Sequence, residues 1–231
     1  FPFDKFSSAN NKLSTQMKAT GEVMSVGRTI EESLLKAARS LEIGVNHLYM
    51  KKFDEFADEE LLDYIKDGTD DRIYAIAELM RRQADLGMIY DATKIDMLFL
   101  EKVKNIILME RELSEHIGDA GVLFKAKKMG FSDAFIGKLW GKSDEEIYKI
   151  REKRYIFPVY KMIDTCASEF ESYIPYFYST YEDENESVVS DKKKIIVLGS
   201  GPIRIGQGVE FDYSTVHAVT TIKKSGYEAI I

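Results

Sequence analysis

The chain has 231 residues, of which 45% are hydrophobic and 31% are charged, and its formal net charge is -7. This length allows one large domain or two small ones with a sizeable core. The acidic balance disfavours a dedicated nucleic-acid binder, because phosphate backbones are recognised by basic surfaces. One cysteine, Cys166, excludes an internal disulfide framework, and no apolar run reaches the length that spans a bilayer.

The first segment, residues 1–27, is polar and serine-rich and shows no helical periodicity. It lacks the basic and apolar stretches of a secretory signal, so we expect a cytoplasmic protein. The chain opens without a methionine and without a helix start. We therefore expect it to be part of a longer protein.

From Thr29 to about Lys153 the pattern is strongly helical. In TIEESLLKAARSLE, Thr29 and Glu32 have the spacing of a capping box, and the apolar residues that follow share one helix face. Further helices are predicted from the periodicity and from their caps: an acidic helix ending near Gly68, a helix from Asp70 to near Gly87, a long helix ending at Gly118, and three brief segments of which the last is capped by Ser143 and Glu146.

The three brief segments with glycine turns are also typical of helix-turn-helix readers of DNA. They carry few basic residues on a common face and the whole chain is acidic, so an interaction module is favoured. The apolar face through Leu34, Leu35 and Leu41 is one candidate for an oligomer contact. The alternative is that this face packs into the core of its own domain.

The pattern changes between residues 155 and 182, which are rich in β-branched and aromatic residues. Pro158 and Pro175 break helices, so we predict an irregular or extended arm whose aromatic side chains lie against other parts of the protein. The polar, acidic stretch EDENESVVSDKK follows and is a plausible domain boundary.

The stretch KKIIVLGSG predicts a buried strand of a parallel sheet, and STVHAVTTIKKSG and YEAII predict a helix and a second strand. The loop after the first strand is either a phosphate cradle or a tight strand-to-helix turn. It lacks the Gly-Lys-Ser/Thr of a P-loop, and Arg204 stands where a dinucleotide fingerprint has its third glycine. Four glycines shape this loop: Gly199, Gly201, Gly206 and Gly208.

The stretch GSGPIRIGQGVEFDYSTVHAV closely resembles the large subunit of carbamoyl phosphate synthetase, at the opening of its second synthetase half. Further stretches resemble the middle of that family in the same order: FDKF, TQMKATGEVMSVGRTIEESLLKAARSLE, TKIDMLFLEKVKNI, PVYKMIDTCASEFES and YSTYE. The resemblance implies a mainly α fold in three parts: the tail of the first ATP-grasp half (1–27), a helical oligomerization domain with its arm and linker (28–189), and the start of an incomplete α/β pre-ATP-grasp domain (190–231).

The resemblance also implies the reaction of a whole enzyme, a carbon–nitrogen ligase. One ATP phosphorylates bicarbonate, ammonia from glutamine gives carbamate, and a second ATP phosphorylates carbamate to carbamoyl phosphate for arginine and pyrimidine synthesis. ATP and its Mg²⁺ or Mn²⁺ are held in the ATP-grasp domains. We therefore expect this chain alone to be inactive, with no catalytic or metal-binding residue and no bound cofactor.

The partners that the resemblance implies are the two synthetase halves, a glutaminase small subunit and further copies of the chain, without nucleic acid or membrane. An ammonia-dependent parent would place the chain in the mitochondrial matrix instead of the cytoplasm. The rival interpretation is a free-standing nucleotide-binding regulatory module that uses the loop from Gly199 to Gly208.

In the family, the positions of Gly208 and Glu210 line a tunnel that carries carbamate between the two active sites. Arg204, in the same loop, is a candidate gatekeeper of the tunnel. Asp4 stands where the family usually has a glutamate near it. For Glu210 there is an alternative role, that of a carboxylate at a helix N-terminus.

Overall fold

A computed structural model describes residues 8, 10–19, 21–166, 169–170, 173–199, 203–204, 208 and 210–231, with the backbone alone at 203, 204 and 211. Over these residues the fold is mainly α, as the sequence predicts. The helices are α1 (Ile30–Ser40), α2 (Asp58–Tyr64), α3 (Arg72–Arg81), α4 (Leu86–Thr93), α5 (Met97–Glu115), α6 (Ala120–Lys128), α7 (Asp133–Trp140), α8 (Asp144–Lys153) and α9 (Glu210–Lys224). The strands are β1 (Gly21–Glu22), β2 (Val159–Met162), β3 (Phe177–Thr180), β4 (Lys194–Ile196), β5 (Ile203–Arg204) and β6 (Glu228–Ile230).

The N-terminus of α1 is capped, but not by the complete box that the sequence predicts. The Thr29 hydroxyl accepts a hydrogen bond from the Glu32 N–H at 3.2 Å. The Glu32 carboxylate accepts from the Arg28 N–H at 2.7 Å. The backbone passes so close at Gly27 that a Cβ there would lie 2.9 Å from Glu32 Oε2, and this approach brings the Arg28 N–H to the carboxylate.

The predicted helix from Asp70 to Gly87 is two helices. α3 ends at Arg81, and Asp85 caps a separate helix, α4, by accepting from Gly87 N–H at 2.8 Å. The predicted cap at Asp70 is wrong as well, because Asp71 directly precedes α3. By contrast, the capping box of Ser143 and Glu146 at the start of α8 is confirmed.

The centre of the helical part is α5, against which α1, α3, α4, α6 and α7 pack. Trp140 of α7 donates from Nε1 to the Leu113 carbonyl at 2.8 Å, which fixes the end of α7 on α5. None of the helices in the described ranges combines the length and the apolarity that a membrane crossing requires. The side chains that fill the core are fully inaccessible to solvent: Leu35, Leu61, Ile65, Leu79, Ile89, Ile106, Leu113, Leu123, Ile136 and Ile147.

A buried ionic cluster lies beside this core. The Glu110 carboxylate accepts from Arg81 Nε and Nη2, both at 2.8 Å, and from His47 Nε2 at 2.8 Å. The His47 ring stacks on Phe135 with 3.7 Å between ring centroids. Burial alone would raise the pKa of Glu110, but the hydrogen bonds from Arg81 and His47 hold it below its usual value.

The chain after α8 forms a two-stranded antiparallel hairpin, with Val159 opposite Thr180 and Met162 opposite Phe177. The predicted extended arm is thus confirmed. Thr180 is buried and Tyr181 packs against the helical core, so the end of the hairpin is docked. Tyr173 and Tyr176, in contrast, are largely exposed within the described part of the chain.

The C-terminal residues form a β-α-β unit, as predicted. β4 and β6 are parallel, with Lys194 opposite Glu228 and Ile196 opposite Ile230, and α9 connects them. The prediction that the first strand is buried is wrong for the described residues, because Ile196 is 67% exposed and Leu198 is 87% exposed. A two-stranded sheet with one helix covers too little surface to bury its strands.

Candidate functional site

Three segments flank the helical part, and the first of them contacts the described residues of the other two or their neighbours. We call them the leading segment (residues 21–28), the aromatic arm (156–186) and the glycine loop (197–210). β1 of the leading segment pairs antiparallel with β5 of the glycine loop, with Gly21 opposite Arg204 and Glu22 opposite Ile203. The chain that precedes the helices is thereby joined to the chain that follows them.

Lys36 of α1 lies between the leading segment and the aromatic arm. Its Nζ donates to the Val26 carbonyl at 2.8 Å and to the Ser179 carbonyl at 2.5 Å. It also pairs with the Glu32 carboxylate at 2.8 Å. A lysine ammonium has three N–H donors, and these three oxygens account for all of them.

Glu32 is the buried partner of Lys36 and is only 1% exposed. Its charge is compensated by Lys36 and by the Arg28 N–H, as burial of a carboxylate requires. The turn between α6 and α7 packs on it, since a Cβ at Gly130 would lie 3.0 Å from Glu32 Cα. Arg39 donates to the Gly130 carbonyl at 2.6 Å and fixes this turn to α1.

A cavity of about 650 Å³, with several charged residues in its lining, opens where the aromatic arm meets α1, α7 and α8. Beside it, Asp133 pairs with Lys127 at 2.8 Å and with Arg151 at 2.5 Å. Lys127 Nζ lies 5.2 Å from the centroid of the Tyr181 ring. Burial lowers the pKa of Lys127 to about 8 and raises the pKa of Tyr181 to about 12. This cluster fixes the C-terminal end of the hairpin on the helices.

The glycine loop leads directly into α9. The Gly208 N–H donates to Glu210 Oε1 at 2.9 Å, and a Cβ at Gly208 would lie 2.7 Å from Glu210 Oε2. Glu210 is the first residue of α9, so its carboxylate lies at a helix N-terminus. A side chain at position 208 would therefore displace the Glu210 carboxylate from its present place.

The other residues predicted in and near the loop are less informative. A Cβ at Gly199 would meet no atom within 4 Å, so the position is open. Arg204 is described by its backbone, which pairs with Gly21. Asp4, Gly201 and Gly206 lie outside the described residues.

The three leucines of the predicted oligomer contact lie in different environments. Leu35 is fully buried in the core, so its assignment to an oligomer contact is corrected: no second chain can reach it. Leu41 is 41% exposed at the end of α1. Leu34 lies in a groove of about 790 Å³ between α1, α3 and α5. The apolar residues of this groove include Ile30, Leu34, Ile73, Ile95, Phe99 and Val103.

Carboxylate, histidine and cysteine side chains are dispersed over the described residues. No three of them there come together in an arrangement that could hold a metal ion.

The sequence of the helical part matches a known family. Residues 22–155 match the model of the carbamoyl-phosphate synthetase large chain, oligomerisation domain. The chain belongs to the carbamoyl-phosphate synthetase large-chain family. Residues 191–231 match a second model, that of the carbamoyl phosphate synthase preATP-grasp domain. The predicted family is thus confirmed, and the chain carries domains of a ligase.

The limits of the two matches can be compared with the helices and strands of the chain. The oligomerisation-domain match begins within β1 and ends just after α8, and the preATP-grasp match begins just before β4. The aromatic arm lies between the two. The domain limits proposed from the sequence, 1–27, 28–189 and 190–231, stay predictions.

Sequence reasoning missed Lys36 and Glu32 as the meeting point of these segments. Their spacing of four residues on a helix indicates an ion pair. Nothing in the sequence indicates that the Val26 and Ser179 carbonyls reach the same ammonium, because that contact depends on the path of the backbone.

Proposed function

We propose that this chain connects the two synthetase halves of the carbamoyl-phosphate synthetase large chain and supplies a contact for self-association. The whole enzyme makes carbamoyl phosphate from bicarbonate, two ATP and ammonia that a glutaminase subunit delivers, in the cytoplasm or the mitochondrial matrix. ATP-grasp domains hold ATP with Mg²⁺ or Mn²⁺. The chain alone is inactive and acts as a connector.

The observation that carries this proposal is the pairing of β1 with β5. It joins the start of the oligomerisation-domain match to the glycine loop within the preATP-grasp match. The helical domain therefore lies between two strands, β1 before it and β5 after it, that pair with each other. A connector built in this way sets the relative position of whatever is attached to those ends.

The groove around Leu34 supports the self-association part of the proposal. Its rim exposes Ile30 and Phe99, at 40% and 52%, next to the buried core. Exposed apolar surface of this kind is typical of protein–protein contacts. Leu34, together with Leu41, is the part of the predicted leucine face that a second copy can reach. Sedimentation velocity at several concentrations tests this contact.

The geometry of the glycine loop supports a role for this chain in the passage of carbamate between the two active sites. We assign Gly208 and Glu210 to the wall of the carbamate tunnel, with Arg204 and Asp4 near it. The backbone at Gly208 lies against the Glu210 carboxylate, so that a Cβ there would meet Glu210 Oε2 at 2.7 Å. A large side chain at this position displaces Glu210 and fills the space on that side of the loop.

The test is Gly208→Phe in the full-length enzyme. We expect bicarbonate-dependent ATP hydrolysis to continue while the yield of carbamoyl phosphate per ATP falls by about tenfold or more, since a misplaced or blocked path costs that much in productive transfer. Gly208→Ala is the matched variant, because it displaces Glu210 without the bulk. Gly199→Ala is the control, because a Cβ there meets nothing. Unchanged coupling in Gly208→Phe would overturn the tunnel assignment.

A further inference from the structure

Lys36 makes contacts that an ordinary surface lysine does not make. We infer that Lys36 is a positioning residue that clamps the aromatic arm to the leading segment. The consequence for catalysis rests on the connector function proposed above. The clamp itself is a property of this chain and is testable without the rest of the enzyme.

The two acceptors on the flanking segments are backbone carbonyls, those of Val26 and Ser179. A carbonyl oxygen is held by the path of the chain, so these bonds fix backbone to backbone through one ammonium. The third bond, to Glu32, ties the ammonium to the first turn of α1. The first turn of α1, the segment that precedes it and a strand 143 residues away along the chain are thereby held at one atom.

The clamp is buried at its Glu32 end and exposed at its Ser179 end. The side chain of Lys36 is 20% exposed and that of Glu32 is 1% exposed. Hydrogen bonds from a charged donor are stronger than neutral ones, and water replaces them poorly where access is limited. The bonds to Glu32 and Val26 therefore anchor the Lys36 ammonium away from water, and the bond to Ser179 extends from that anchored charge to the arm.

Neighbouring groups reinforce the same contact. The Lys36 ammonium lies 5.5 Å from the centroid of the Tyr178 ring, on the strand that supplies the Ser179 carbonyl. A hydrogen bond with Tyr178, and then the charge of Glu182, raise the pKa of Arg28 in the leading segment. Ser25 of the leading segment donates from its hydroxyl to the Ser33 carbonyl at 2.7 Å. The leading segment is thus attached both to α1 and to the arm.

Loss of the clamp has a local consequence that can be measured. A two-stranded hairpin is marginally stable by itself in water. The hairpin of β2 and β3 depends on docking against the helices, and Lys36 supplies part of that docking. Without Lys36 the strand amides open more often, while the core around α5 keeps its own contacts.

The experiment is amide hydrogen exchange on this chain with Lys36→Met, Lys36→Arg and the double variant Glu32→Gln/Lys36→Met. The double variant removes the uncompensated carboxylate that Lys36→Met leaves buried. Lys125→Met is the control, because Lys125 is exposed and pairs with Glu112, away from the arm.

In Lys36→Met and in the double variant, we expect the amides of Val159–Met162 and Phe177–Thr180 to exchange about tenfold faster, with α5 unchanged. Lys36→Arg keeps the positive charge and several donors, so it should restore most of the protection. Unchanged exchange in the arm overturns the clamp. Equally faster exchange in α5 also overturns it, because Lys36 would then be a general stabiliser.

The same variants in the full-length enzyme separate the clamp from the connector function. We expect Lys36→Met to lower the carbamoyl phosphate formed per ATP while each half keeps its partial ATPase reaction, and Lys36→Arg to recover the ratio. If the arm is released and the ratio does not change, the clamp stands and the connector function is wrong. If the arm is not released, the clamp is wrong whatever the enzyme does.

Discussion

The helical domain and the C-terminal β-α-β unit both contain many apolar residues in their helices and strands. The two regions differ in how far these side chains are buried. In the helical domain, the side chains of Leu35, Ile106 and Leu113 are fully buried around α5. In the β-α-β unit, Ile196 of the first strand and Leu198 just after it are mostly exposed. The difference lies in the number of packed elements: five helices pack against α5, whereas β4 and β6 have one helix, α9, among the described residues.

This difference has a physical consequence for the two regions. The apolar face of an amphipathic helix is buried by neighbouring helices of the same domain. Parallel strands need cover on both faces and further strands at their edges. The helical domain therefore covers its apolar side chains by its own contacts, while the described part of the β-α-β unit leaves Ile196 and Leu198 exposed.

The largest expected effect is at the buried ionic cluster of the helical domain. Glu110→Ala leaves Arg81 and His47 buried without their carboxylate, so we expect the free energy of unfolding to fall by about 3–5 kcal/mol. Urea unfolding followed by circular dichroism measures it. Glu115→Ala, at the exposed end of α5, is the control and should change stability by less than about 0.5 kcal/mol. A loss at Glu110 as small as that of the control would contradict the prediction.

The next effect compares one isoleucine from each region. Ile106 is fully buried and Ile196 is 67% exposed. Ile106→Ala should cost about 2–5 kcal/mol, because it leaves a cavity in a close-packed core. Ile196→Ala should change stability by less than about 0.5 kcal/mol in this chain. Equal losses in urea unfolding would show that the two regions share one core and that the contrast between them is wrong.

The smallest effect is a pH dependence that comes from His47. Burial lowers the pKa of His47 below 6.5, even though the hydrogen bond with Glu110 of α5 acts in the opposite direction. Arg81 of α3 and Arg39 of α1 face the same ring and also lower it. Below pH 6.5 the unfolded chain binds a proton at this position before the folded chain does, so stability falls as the pH drops from there through the folded pKa.

We expect this loss to be at most about 1.4 kcal/mol per pH unit, the limit for a single proton. Unfolding in urea between pH 8 and pH 5.5 measures it. His47→Gln removes the titrating group but keeps a donor for Glu110, so its stability should depend less on pH. His116→Gln, at an exposed position, is the control. A pH dependence that is the same in His47→Gln and the parent chain would assign the effect to other groups.

Much of the fold could be predicted from local signals. The capping residue Thr29, the box of Ser143 and Glu146, and the apolar periodicity between them predict a helical domain. The strand, loop and helix after residue 193 predict the β-α-β unit. Local signals did not separate α3 from α4. The break between them, residues 82–85, is short, and its one strong signal is the cap residue Asp85.

The candidate site was less predictable. Gly208 and Glu210 could be chosen from the sequence because glycine and an acidic residue at a helix start have recognisable local roles. Lys36 could not, because its acceptors include backbone oxygens, and the one at Ser179 is 143 residues away along the chain. Leu35 was predicted in an oligomer contact but lies in the core. Periodicity identifies the apolar face of a helix but not which of its leucines a neighbouring helix covers.

The sequence by itself determined most of the helices and the β-α-β order, because capping, periodicity and turn residues act within a few positions of the chain. It also determined the family, through motifs that run along its length. The tertiary structure decided which charges are buried together, as at Glu110 and Asp133, and which segments meet, as at Lys36 and at the pairing of β1 with β5. The reason is that burial and backbone contacts depend on residues far apart in sequence, which packing alone brings together.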